Sequence, residues 1–288
     1  MNHKTVKLMP GLYFVATPIG TARDITLRAL DILANADVIA AEDTRSMRKL
    51  MDIHGIALGD RPLLPYHDHN GKTMRPKLLE HLRQEKSVAY ASEAGTPLIA
   101  DPGFDLSRAA AHDGHLVTTA PGPSAALAAL TLAGLPTDRF LFAGFLPNTK
   151  SARRSHLQEL ADVPATLVFY ESPKRLAAML SDAADVLGAA RSAAYCRELT
   201  KKFEEVQRGT LSALAQQLQA KTVKGEVVVL IDRAASGSVN QDDIASALRG
   251  ALDSMSVRDA SETVAQAYGL PKRKIYQMAL EFDQEKDR

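Results

Sequence analysis

The chain carries one cysteine, Cys196, in 288 residues. A lone thiol forms neither an internal disulfide nor a multi-cysteine zinc site, so a reducing cytoplasm is the expected compartment and a disulfide-stapled secreted scaffold is excluded. Long apolar runs are missing too. The most apolar stretch, Ser124 to Leu135, falls short of the ~18 residues of a membrane span and reads as a buried helix, and Met1 to Pro10 has no signal-peptide core. Neither sign of charge dominates: 35 Lys and Arg stand against 34 Asp and Glu, a formal net charge of +1. A histone-like polycation is thereby excluded, and affinity for nucleic acid has to be regional.

What is present is the composition of a folded protein, 45% hydrophobic and 24% charged. At roughly 100 to 200 residues per domain, the length favours two domains, or one large α/β domain with an appendage. Gly11 to Ala16 is a short β-branched and aromatic run that stops at Thr17-Pro18-Ile19-Gly20, and a helical pattern follows through Ile25, Leu27, Leu30 and Leu33. The same order recurs at Asp37 to Ala41, Ser87 to Ala91 and His115 to Ala120, which implies a mainly parallel sheet with helical crossovers. The texture changes after Leu135-Pro136-Thr137, and a second α/β unit follows with strands at Ala165 to Tyr170, Ser192 to Arg197 and Glu226 to Ile231. A small-residue linker then leads into wholly helical sequence. The expected division is 1–122, 123–234 and a helical module at 241–288. In that module Gly269-Leu270-Pro271 forces a turn before Lys272-Arg273-Lys274, which suits a helix-turn-helix and a plain helical hairpin equally.

In open parallel sheets ligands sit beyond the carboxyl ends of the strands, and three loops there are unusual. Ala16 to Gly20 stands where a phosphate cradle would be, yet has neither G-x-G-x-x-G nor a P-loop Lys-Ser pair, so dinucleotide and triphosphate sites lose support and an ordinary turn stays open. Ser92 to Gly103 packs two prolines and two glycines among small residues, giving a rigid loop whose backbone a ligand approaches closely. Ala120-Pro121-Gly122-Pro123-Ser124-Ala125 places a hydroxyl at a helix N-cap, where capping explains Ser124 as well as ligand binding does.

Val15 to Gly20, Asp24 to Ala29, Ala41-Glu42-Asp43-Thr44-Arg45, His67-Asp68-His69-Asn70, Ala94 to Ile99, Pro121 to Ala125, Gly134 to Thr137 and Phe169-Tyr170-Glu171-Ser172-Pro173 together form a colinear series. The series resembles the bacterial small-subunit ribosomal RNA cytidine 2′-O-methyltransferases, a branch of the tetrapyrrole methylase superfamily, and runs from about residue 11 to 232. Glu93 replaces the family's usual Asp, and Thr21-Ala22 replace its usual Asn-Leu.

The resemblance implies two α/β domains of the tetrapyrrole methylase type, with S-adenosylmethionine in the cleft between them and a small C-terminal helical module. It assigns cofactor contacts to Pro18, Ile19, Ala94, Thr96, Ile99, Ser124 and Ala125 in the first half and to Glu171, Gly225 and Glu226 in the second. It also implies a homodimer acting on small-subunit ribosomal RNA or the assembled 30S subunit, with no role for DNA or a membrane.

A ribose hydroxyl is a weak nucleophile, and candidates for a base or an alkoxide stabiliser are Glu42, Asp43, Asp101, Glu198 and Lys201. Phosphate neutralisation is expected from Arg23 and Arg45, from Lys150, Arg153 and Arg154, and from Lys272, Arg273 and Lys274. His67-Asp68-His69 lacks a cysteine or paired carboxylate partner motif, so no metal is expected. Two rival readings are a methylase of a tetrapyrrole intermediate, whose first loop is typically Gly-rich, and a non-catalytic RNA-binding assembly factor.

Overall fold

The structure, a computed structural model, describes residues 3–100, 103–219, 223–234, 241–268 and 270–286. Its first half alternates β1 (Gly11–Val15), α1 (Leu27–Asn35), β2 (Val38–Ala41), α2 (Thr44–Ile53), β3 (Leu63–Pro65), α3 (Gly71–Arg83), β4 (Ser87–Ala91), α4 (Phe104–His112) and β5 (Val117–Ala120). The strands lie in the order β3-β2-β4-β1-β5, each pair parallel. Strands β1, β2 and β4 are buried along their whole length, as strands covered on both faces must be. Leu30, Leu33, Met47 and Met51 of α1 and α2 cover one face, while Leu78, Leu82 and Leu106 of α3 and α4 cover the other. Side-chain oxygens start the helices on the first face: Thr26 accepts the Ala29 N–H at 3.2 Å, and Asp43 accepts those of Arg45 and Ser46 at 2.7 and 3.3 Å. Parallel strands leave all their outgoing loops on one edge.

Helix α5 (Ala125–Ala133) follows β5 in sequence but packs on a second sheet. That sheet belongs to β6 (Phe140–Phe145), α6 (Lys150–Glu159), β7 (Thr166–Glu171), α7 (Leu176–Leu187), β8 (Ser192–Arg197), β9 (Glu205–Thr210), α8 (Leu211–Gln219) and β10 (Val227–Ile231). Its order is β6-β7-β10-β8-β9, and only β6 and β7 pair in parallel. The mainly parallel expectation therefore holds for the first sheet, while the second is mixed, because β8 returns through a short loop into β9 without a crossover helix. Ala126, Ala129 and Ala133 let α5 approach Val168, Ala194, Cys196 and Val228 closely. On the opposite face Leu157, Met179, Leu180, Leu211 and Leu214 of α6 to α8 close over Leu167, Phe169, Tyr195 and Val229.

One expected RNA-binding cation is part of this packing. Arg153 is buried, its Nε donating to Asp182 Oδ2 at 2.8 Å and its Nη1 to the Asn148 carbonyl at 3.3 Å. A run of basic residues in sequence does not show which one turns inward, and here the inward one ties α6 to α7. Arg154 is half-buried and pairs with Asp185 at 2.7 Å, while Lys150 is exposed, 4.0 Å from Asp182.

A second compact body begins at Ala234. Its helices α9 (Gln241–Leu252), α10 (Val257–Tyr268) and α11 (Lys272–Lys286) enclose Leu248, Ala260, Val264, Ile275 and Ala279. Lys272 pairs with Glu262 at 2.6 Å, while Arg273 and Lys274 are exposed. Among the described residues no helix is long and apolar enough to cross a membrane.

Removing one member of a buried ion pair strands the other, so Arg153→Ala is expected to cost about 3 kcal/mol in urea denaturation. Affinity of the folded variant for RNA should equal that of the wild type, since a buried guanidinium does not reach a phosphate. An unchanged denaturation midpoint would show that the pair does not hold α6 in place.

Candidate active site

The loops leaving β4, β1 and β5, three neighbouring strands, are fastened to one another by main chain. Thr17 and Gly95 exchange both N–H···O bonds, at 2.9 and 3.0 Å. The Thr17 hydroxyl donates to the Ser92 carbonyl at 3.2 Å, and the Thr96 hydroxyl donates to the Pro123 carbonyl at 2.9 Å. Gly20 lies against the loop after β8: a Cβ there would collide with the Thr200 hydroxyl and come within 2.7 Å of the Leu199 carbonyl. The Thr21 N–H donates to Thr200 Oγ1 at 3.1 Å, and the Ala22 carbonyl faces His54 Nε2 at 2.8 Å. The two departures at 21 and 22 thus fall where the backbone makes the contact.

The opposing wall is built around Glu198. Its carboxylate accepts the Glu226 N–H at 3.1 Å and the Lys201 ammonium at 3.0 Å, and the same ammonium reaches Glu226 Oε2 at 2.9 Å. Gly225, at φ +92°, has no space for a Cβ because that carboxylate occupies it. Leu98 and Ala100 on one side, and Glu198 and Thr200 on the other, hold left-handed backbone at φ +72°, +60°, +51° and +62°. Such residues cost about 1 to 3 kcal/mol each and persist only where neighbours over-determine them.

Between these walls lies a cavity of about 320 Å³. Ile19, Ala94, Thr96, Ile99, Ala125, Glu171, Gly225 and Glu226 line it, as expected from the sequence, whereas Pro18 and Ser124 do not. Ser124 is the N-cap residue of α5, although its side chain makes no capping bond. Phe145, Tyr170, Cys196, Leu199 and Val228 also line the cavity and were not singled out in sequence as site residues. Phe145 packs edge-on against Tyr170, with ring centroids 5.8 Å apart. Burial pushes the Cys196 thiol up to about 11, so it is neutral and part of an apolar wall.

Glu171 is the polar exception. Its side chain is fully buried; Oε1 accepts the Ser172 N–H at 2.7 Å and lies 3.2 Å from Arg175 Nε, while Oε2 has no partner. Burial raises its pKa against the pull of Ser172, Arg175 and Arg153. A buried acceptor without a donor, on the wall of an apolar cavity, fits a ligand with N–H or O–H groups and apolar surface. S-adenosylmethionine has both.

Among the described residues, the expected catalytic side chains Glu42, Asp43, Glu198 and Lys201 do not line the cavity, and Glu198 and Lys201 bond to Glu226 of its wall. Glu42 Oε2 accepts the Glu93 N–H at 3.2 Å. Burial, then Glu42, Asp43 and Glu226, raise the pKa of Glu93. Asp43 caps α2, and Arg45, through its guanidinium and N–H, holds the carboxyl at about 2, too acidic for a base at neutral pH. Burial works to raise Glu198, but Lys201 and the Glu226 N–H outweigh it and its pKa falls. Asp101 lies outside the described residues. Arg23 and Arg45 are exposed, Arg45 in an ion pair with Asp43 at 3.0 Å. Among the described residues no group of three His, Cys, Asp or Glu gathers as metal ligands would.

Two sheets within one compact unit, Met1–Arg233, with a cavity where their loops meet, define an α/β enzyme that binds a ligand with no phosphate cradle. Residues 11–215 match the family Tetrapyrrole (Corrin/Porphyrin) Methylases, and residues 238–282 match the RsmI C-terminal HTH domain. The proteins named "Ribosomal RNA small subunit methyltransferase I" from Mesorhizobium japonicum and Xylella fastidiosa are 48% and 43% identical to this chain. They cover 95% and 93% of it, and 92% and 98% of their own lengths. A uroporphyrin-III C-methyltransferase from Thermus thermophilus, solved with S-adenosyl homocysteine, superposes with a TM-score of 0.53 at 21% identity. That match covers 76% of this chain and 96% of the other, a likeness of fold. The chain belongs to the tetrapyrrole methylase family. It is an S-adenosylmethionine-dependent methyltransferase.

Only the ionised Glu171 carboxylate accepts hydrogen bonds at both oxygens. Affinity for S-adenosylmethionine should therefore fall as pH drops through its raised pKa and level off above it. Glu171→Gln should weaken binding roughly tenfold at neutral pH and abolish that pH dependence, read by calorimetry between about pH 5 and pH 8. A variant that keeps the wild-type pH profile would exclude Glu171 as the titrating group.

Proposed function

We propose that this chain transfers the methyl group of S-adenosylmethionine to the 2′-hydroxyl of one cytidine near the decoding centre of small-subunit (16S) ribosomal RNA, free or within the 30S particle. The observation that carries the substrate is the near full-length similarity to relatives named as small-subunit ribosomal RNA methyltransferases. The first-half motifs, whose loops form one wall of the cavity, support the finer reading. A tetrapyrrole substrate is the weaker alternative, since it offers no role for a C-terminal helix-turn-helix. A non-catalytic assembly factor would have no use for a formed cavity with an orphaned carboxylate.

The cofactor supplies an electrophilic methyl group. Ile19, Ala94, Thr96, Ile99, Ala125, Glu171, Gly225 and Glu226 are assigned to hold it, through backbone, apolar contact and the free Glu171 oxygen. Catalysis then rests on keeping the ribose oxygen in line at about 3 to 3.5 Å. Among the described candidates Glu42 is assigned as the proton acceptor, a reading supported by the pairing of Asp43 and Glu198 with cations. Phe140 and Leu141 on the edge strand β6 and Leu127 on α5 are exposed, which supports a homodimer that covers them. Arg273 and Lys274 at the start of α11 support RNA binding by the C-terminal module. The cytoplasm, where small subunits are made, is the compartment this reading requires.

Labelled S-adenosylmethionine and small subunits lacking the modification should yield label that resists alkaline cleavage at one cytidine, and a 2′-deoxy acceptor there should receive none. Label on a base carbon or an exocyclic nitrogen would overturn the proposed acceptor. Truncation after Ser236 should spare cofactor binding and weaken RNA binding, most at low salt where phosphate contacts count most. Equal RNA affinity with and without the module would remove it from the interface.

A further inference from the structure

The loop between β8 and β9 presents a phenylalanine to solvent while being braced along its length. The Lys201 N–H donates to the Glu198 carbonyl at 3.0 Å, the Glu204 N–H to the Lys201 carbonyl at 3.1 Å, and the Thr200 N–H to Glu204 Oε2 at 2.7 Å. Lys201 is anchored on Glu198 and Glu226, and Thr200 Oγ1 receives the Thr21 N–H from the other half. Two left-handed residues, Glu198 and Thr200, are fixed in this way. Yet Phe203 is left 63% exposed, with the Lys202 ammonium 5.5 Å from its ring centroid.

A single exposed apolar side chain is ordinary. This one is set apart by its place. Phe203 is four residues beyond Leu199 of the cavity wall, so the chain keeps it within about 14 Å of that wall. The same loop is bonded to Thr21, two residues before the exposed Arg23. An exposed aromatic face on a braced loop, with Lys202 beside the ring and Arg23 on the loop bonded to it, has the chemistry that holds an unpaired base by stacking and its phosphates by charge.

We infer that Phe203 is a stacking platform for an unpaired base next to the methylated nucleotide, with Lys202 and Arg23 at the flanking phosphates. The inference rests on the RNA substrate proposed above. Phe203 acts as a substrate-positioning residue: it fixes the strand so that the target ribose enters the cavity, and it does not touch the cofactor.

The test uses the full-length protein and small subunits lacking the methyl group. Phe203→Ala should raise KM for the subunit roughly tenfold with kcat and cofactor affinity near wild type, because stacking is lost and the cavity is intact. Phe203→Tyr should restore the wild-type KM, and Phe203→Leu should resemble the alanine variant. The chain has no tryptophan. Phe203→Trp therefore introduces a single indole, whose emission should be quenched when the subunit is added. A wild-type KM in Phe203→Ala, a leucine variant as good as tyrosine, or an unquenched indole at saturating subunit would each overturn the inference. If the wild-type protein itself places no methyl group on the RNA, it is the proposed substrate that fails; a methylating wild type with an indifferent Phe203 removes this assignment alone.

Discussion

The pair of backbone hydrogen bonds between Thr17 and Gly95 is the constraint on which the site depends. Strands β1 and β4 are neighbours in a parallel sheet, so their outgoing loops emerge side by side, and this bridge turns two loops into one surface. Thr96 extends the surface to the loop after β5 through the Pro123 carbonyl. From there α5 crosses to the second sheet, carrying the geometry of the first sheet into contact with the wall opposite. The result is a cavity whose first wall is mainly backbone and small side chains. Such a wall suits a ligand that needs shape and a few hydrogen bonds, and it has no place for a nest of glycine N–H groups round a phosphate.

Charge is arranged around that cavity in two zones. Glu42, Asp43, Glu93 and Glu226 act on one another near the mouth, enough for Glu93 to hold its proton more tightly than an ordinary glutamate once burial has begun the shift. Two cations stand among these carboxylates: the exposed Arg45, paired with Asp43, and Lys201, paired with Glu226. The exposed cations Arg23 and Lys202 lie on the two loops that the Thr21–Thr200 hydrogen bond joins.

Strands covered on both faces are legible in the sequence as continuous apolar runs, and Ser87–Ala91 of the first sheet and Val227–Ile231 of the second stand out for that reason. It hides β9, Glu205-Val206-Gln207-Arg208-Gly209-Thr210, because an edge strand keeps one side in water and carries no apolar pattern. It also hides β3, which is three residues long. The Ala and Leu content of α5 shows that it is buried, but not against which sheet. In the site, the loop residues were readable from motif, yet Pro18 and Ser124 fall outside the wall while their neighbours Ile19 and Ala125 form it, since adjacent residues in an irregular loop point different ways. Cys196 and Val228 were unreadable for a simpler reason: in strands buried on both faces, cavity-facing and core-facing positions look alike.

Where the chain departs from its family pattern, the structure explains why the fold is indifferent. Thr21 contributes its N–H and Ala22 its carbonyl, groups that every residue but proline supplies, so their side chains are free to vary. Glu93 likewise contributes an N–H to Glu42, and its own carboxyl is exposed at the mouth, where a side chain longer by one methylene than aspartate meets no packed core. Glu171 is the opposite case. There the side chain itself does the hydrogen bonding, with one oxygen bound to the Ser172 N–H and the other buried without a partner, and neither backbone nor a shorter acid supplies that atom in that place. Side-chain identity is therefore under strictest physical demand at Glu171 and loosest at 21, 22 and 93, an ordering set by which atoms do the binding and not by distance from the cavity.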